Sequence, residues 1–114
     1  MTILTDIATR IYNTIKSVQG LNDKVFPLVA TTGTSYPFVT FERSRYSTEH
    51  TKDGYVDGEI SYNINVVSGN YFGGLEIADA VLSAVLRMPE KPDLTSATES
   101  YSDDGYVQTL TFSF

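Results

Sequence analysis

The chain has no cysteine and no tryptophan, a single histidine, and only 8 lysines and arginines in 114 residues. Without cysteine there is no disulfide framework and no thiolate metal site, which suits a reducing compartment. Long apolar runs are missing as well; crossing a bilayer takes about 20 such residues. The segment MTILTDIATRIYNTIK has neither a basic start nor an unbroken apolar stretch, so it does not read as a signal peptide. The expectation is a soluble protein made in the cytoplasm. Positive charge is also scarce: the net charge is -6. Wrapping nucleic acid needs basic neutralisation of phosphates. The chain is therefore a poor candidate for gripping DNA, although it could stand beside it.

What is present describes an ordinary globular chain. Hydrophobic residues make up 41% and charged residues 19%, a composition that folds rather than one that stays disordered. The length fits one domain, residues 1–114, with one modest core. Aromatic residues are plentiful, with 8 Tyr and 6 Phe; such side chains pack across sheets and also favour contact surfaces. Charge is lopsided. Residues 1–57 hold six basic and six acidic residues, whereas residues 58–114 hold two and eight.

Apolar residues Leu4, Ile7, Ala8, Ile11, Ile15 and Val18 recur at helical spacing. They predict a helix over about 3–19, capped by Thr5 or Thr2, with Gly20 as a left-handed stop. Lys24 to Val29 is a short strand candidate, either at an edge or irregular, because Pro27 cannot donate to a ladder. Two stronger strands follow, Tyr36–Tyr46 and Tyr55–Val66. In the second, Ile60, Tyr62, Ile64 and Val66 alternate with Ser61, Asn63 and Asn65, which predicts one dry and one wet face. Asn70 caps a second amphipathic helix running to about Arg87, and Gly73 and Gly74 suggest that its first turn lies close to another backbone. Asp93–Tyr101 and Tyr106–Phe114 flank an Asp-Gly turn and read as a second hairpin. The order α-β-β-β-α-β-β predicts an α+β domain in two layers: an antiparallel sheet of four to five strands with both helices on one face.

Catalytic patterns are weak. His50 stands alone in a polar connection, without an oriented partner or nucleophile. Asp53-Gly-Tyr-Val-Asp57-Gly-Glu59 resembles a calcium loop only superficially, since the intervening acid and the distant Glu are missing. Gly69-Asn-Tyr-Phe-Gly73-Gly74 follows a strand and opens a helix, but no Lys-Ser/Thr follows, so it is not a P-loop. The sequence reads as a non-enzyme without a cofactor or metal. The feature left over is the first hairpin, whose outer half carries Arg43, Arg45, Glu49, His50, Lys52 and Asp53. Alternating charge there either keeps an exposed hairpin from pairing with other sheets or forms a docking arm.

Several short motifs, in this order, resemble the tail-completion or tail-terminator proteins of long-tailed bacteriophages. A helix ends in Gly20-Leu21, and Lys24-Val25-Phe26-Pro27 opens the first strand. Tyr36-Pro37-Phe38-Val39-Thr40-Phe41-Glu42-Arg43 is similar to the family's proline-led strand. Ser61-Tyr62-Asn63-Ile64-Asn65-Val66 runs into Asn70-Tyr71 and the helix Leu75-Glu76-Ile77-Ala78-Asp79-Ala80-Val81-Leu82; a hairpin closes on Gln108 to Phe114. The chain departs from the family's pattern in its long polar connection, residues 46–57, and in Gly73-Gly74. The resemblance implies a virion protein: a homo-oligomeric ring, typically a hexamer, at the head-proximal end of the tail. The ring would stop tube polymerisation, meet the tail-tube and head–tail connector proteins, and let DNA pass without specific binding. Membrane plays no part in this reading. On it, Arg43, Arg45, His50, Lys52, Asp53 and Tyr55 are the expected subunit or tail-tube interface. The alternatives are another head–tail adaptor or minor capsid component, or a ligand-binding or regulatory α+β domain unrelated to phage.

Overall fold

Two 11-residue strands, β2 (Phe38–Thr48) and β3 (Gly58–Ser68), pair antiparallel and form the spine of the molecule. The alternation read from the sequence explains why. Ile60, Tyr62, Ile64 and Val66 all lie buried on one face, and a shift of one residue would move the whole set into water. This computed structural model describes residues 3–18, 20–30, 33–48, 58–102 and 105–114; for 3–4, 45–48 and 58–59 the description is of the backbone.

Around the spine lie α1 (Ile3–Lys16), β1 (Val25–Pro27), α2 (Tyr71–Leu86), β4 (Asp93–Ser102) and β5 (Gly105–Ser113). The five strands form one sheet in the order β1-β2-β3-β5-β4. The fold is α+β with the expected element order. In one respect the sheet differs from the expectation: it is mixed, not purely antiparallel. β1 pairs parallel with β2, Val25 opposite Val39 and Pro27 opposite Phe41. The segment that follows β1 carries the chain back to the starting end of the sheet instead of turning it in a hairpin. Leu28 N–H then bonds the Phe41 carbonyl, and Val39 N–H bonds that of Lys24. Pro27 ends β1 at the sheet margin, where its missing N–H costs little.

Ile11 and Ile15 of α1 and Ala78, Val81 and Val85 of α2 press on Val39, Phe41, Ile64, Leu110 and Phe112 in one buried cluster. Both helices therefore cover the same sheet face. α1 ends at Lys16, three residues earlier than its apolar spacing suggested. Gly20 is left-handed, with φ 89°, but it lies four residues past the helix end and so does not serve as the C-cap that was expected. Thr5 falls inside the helix and does not cap it, and Thr2 lies outside the described residues. Asn70 caps α2, its side chain accepting from Gly73 N–H at 2.8 Å. Gly74 is the close approach: a Cβ there would run into the Ser68 hydroxyl at the end of β3. Arg10 of α1 pairs with Glu90 beyond α2, tying the two helical segments together.

Candidate interaction surface

The hairpin read as a docking arm is present, and its described part carries two of the six expected contact residues. Arg43 is exposed and sits opposite Tyr62, on the helix-covered side of the sheet. Simple alternation would put Arg45 on the same side. Instead a bulge at Ser44 shifts the register, so that Arg45 falls opposite Ser61, on the other side. The two arginines thus stand at register positions on opposite sides of the bulge. Burial pushes the Tyr62 hydroxyl above its usual 10.0, with the Arg43 charge opposing in part. His50, Lys52, Asp53 and Tyr55 lie outside the described residues, as does most of the calcium-loop-like stretch.

The other margin of the sheet supplies a feature that sequence reasoning missed. All ten residues of β4 are exposed. It is a long edge strand with a bulge at Thr95 near its start and neither proline nor lysine along its length. At its far end, aromatic rings gather around one carboxylate. Glu99 accepts from the Tyr71 hydroxyl at 2.9 Å and from the Gln108 amide at 3.2 Å. Tyr106 stands edge-on to Tyr71 at 5.8 Å and tilted to Tyr101 at 4.7 Å. Tyr101 and Phe72 are 70% and 74% exposed, large apolar surface left in water. The hydrogen bond to Glu99, then burial and the Glu99 charge, push the Tyr71 hydroxyl up. Rings and acid come from the start of α2 and from β4 and β5. No local spacing in the sequence links them.

The sheet face away from the helices is open and polar. Asn65 donates to Thr40 at 3.3 Å and accepts from Thr109 at 2.8 Å, and Thr111 donates to Asn63 at 2.8 Å. These rungs satisfy one another across β2, β3 and β5, which holds the face flat without a hydrophobic cover. At one end, Leu28, Val29 and Tyr36 overhang it and make a groove of about 490 Å³ with Phe38 and Val67. Tyr36 stacks on Phe38 at 6.0 Å, and the Tyr36–Pro37 peptide is cis. The groove's polar groups Thr40, Glu42 and Asn65 are already bonded to one another.

Among the described residues, no three His, Asp or Glu side chains converge as a metal site, and no helix is long and apolar enough to cross a membrane. Compared with protein-family models and with curated proteins, the chain finds no match.

Proposed function

We propose that this chain is a structural virion protein that forms a ring at the head-proximal end of a phage tail, ends tube growth there and offers the surface that joins the head. The motif order supports this reading, and one structural observation carries it. Only one sheet face is covered by helices, while a ten-residue margin and a projecting hairpin stay open at opposite sides of the sheet. Different surfaces at opposite margins suit heterologous contacts, the kind that close rings. The chain acts by contact and not by catalysis. Its acidic second half suits a channel through which DNA slides without sticking.

Position in the particle tests this. Gold-labelled antibody against the chain, applied to purified virions and to free tails, is expected to mark one end of each tail, the end that meets the head. Label on the capsid vertex but absent from free tails would favour a head–tail adaptor. Label along the whole tube or on no particle would end the proposal. A ligand-binding domain is less well supported, because the groove's polar groups are engaged with each other and do not converge on a vacant centre.

A further inference from the structure

Arg43 and the tyrosine–glutamate cluster lie near opposite margins of one sheet, yet on the same face. Arg43 is opposite Tyr62, which is opposite Phe112. Glu99 and Tyr101 are opposite Gln108 and Tyr106, two positions in phase with Phe112 along β5. The strand order alternates in direction from β2 to β4, so a neighbouring copy set beside β4 in the same orientation would present its β2 antiparallel to it. Among the described residues, no strand pairs with that margin of β2 beyond Phe41, where β1 stops. Three rings and a carboxylate form a receptor for a guanidinium: aromatic faces attract a cation, and the acid supplies charge and hydrogen bonds.

We infer that the cluster of Tyr71, Glu99, Tyr101 and Tyr106 is the docking site for Arg43 of a second copy of this chain, joined by strand pairing between β4 of one copy and residues 42–48 of the next. The inference rests on the ring reading and names its subunit contact. With β4 ending at Ser102 where the free margin of the neighbour's β2 begins, Arg43 faces Tyr101 and lies diagonal to Glu99, within reach of a long side chain. The geometry is compatible with closure. In this register Arg43 and Tyr101 differ in height by six positions along β3. At about 3.4 Å per residue, across four strands of about 4.8 Å each, that stagger tilts the strands by roughly 47°, at the upper end of what closure needs. Closed sheets adopt about 35–45°.

Because the chain has no cysteine, paired thiols can report the contact. Two full-length variants, Arg43→Cys and Tyr101→Cys, the pair directly opposite in this register, are oxidised alone and mixed, and the products are resolved by a mass tag on one of them. Both positions are exposed, and circular dichroism checks that each variant folds. The mixture is expected to give the cross-linked heterodimer at least about tenfold above either homodimer, as a head-to-tail contact requires. A Tyr101→Cys homodimer in excess would mean that β4 pairs with itself, and would overturn the proposal. So would a statistical mixture, or no cross-link up to millimolar protein. In a second arm, Arg43→Glu and Glu99→Arg should each abolish ring formation on tails, and the double swap should restore it. Rings and normal tails from the single variants would reject the contact while leaving the ring reading intact. Failure of the tail-end label described above would reject the ring reading itself.

Discussion

Gly74 shows how little room a single position can leave. It is buried in the first turn of α2, and any Cβ would meet the Ser68 hydroxyl, which itself donates to the Asn70 carbonyl at 2.8 Å. Gly74→Ala is expected to lower stability by about 1–3 kcal/mol, the usual range for overpacking, despite alanine's better helix propensity. Urea unfolding followed by circular dichroism checks this, and an unchanged midpoint would refute it. Tyr62 gives a pH prediction. Its folded pKa is raised, chiefly by burial, so the fold favours the neutral phenol. The stability this provides is fully present below pH 10.0, the usual value, and is lost as pH rises through the higher folded value. Melting temperature should fall in that alkaline window, and Tyr62→Phe should fall less. That the glycines at the start of α2 marked a close approach was legible in the sequence, but the approach is of Gly74 to the Ser68 side chain, not to a backbone, and Gly73 makes only ordinary contacts. The Tyr71–Glu99–Gln108 bonds were not legible, because they join residues from three separate elements.

At the scale of elements, alternation and helical spacing placed α1, β2, β3, α2 and β5, since each has one face that must be buried; β4, exposed throughout, was legible from the Asp-Gly turn that pairs it with β5. What they could not place was the bulge at Ser44. Arg43-Ser44-Arg45 keeps perfect alternation on paper, and only pairing with β3 reveals the extra residue. Nor could they give the direction of β1, since three residues ending in proline pair equally well either way until the returning segment is known. The cap of α2 was legible and is testable. Asn70→Ala removes the acceptor for Gly73 N–H and should cost about 1 kcal/mol, read as a lower melting temperature with native spectra at 25 °C. The hairpin arm makes the complementary prediction. Removing residues 48–54 should leave a folded monomer with unchanged thermal stability, because the described core ends at Ile60 and Phe41. That shortened chain should fail to assemble on tails, as seen by electron microscopy of complemented lysates. Normal rings would show that the arm is dispensable.

For the molecule as a whole, covering one face of the sheet leaves three surfaces for partners: the polar rungs, the β4 margin and the arm. Opposite margins carry Arg43 on one side and Glu99 among tyrosines on the other; on the inferred contact between copies, that pair would set orientation and partner choice more than raw affinity. The central claim is that the chain ends tail growth. Electron microscopy of lysates from a phage or prophage with this gene disrupted tests it most directly. The account predicts tails of irregular or excessive length, unattached to DNA-filled heads. Intact, infectious particles with tails of normal length would contradict it.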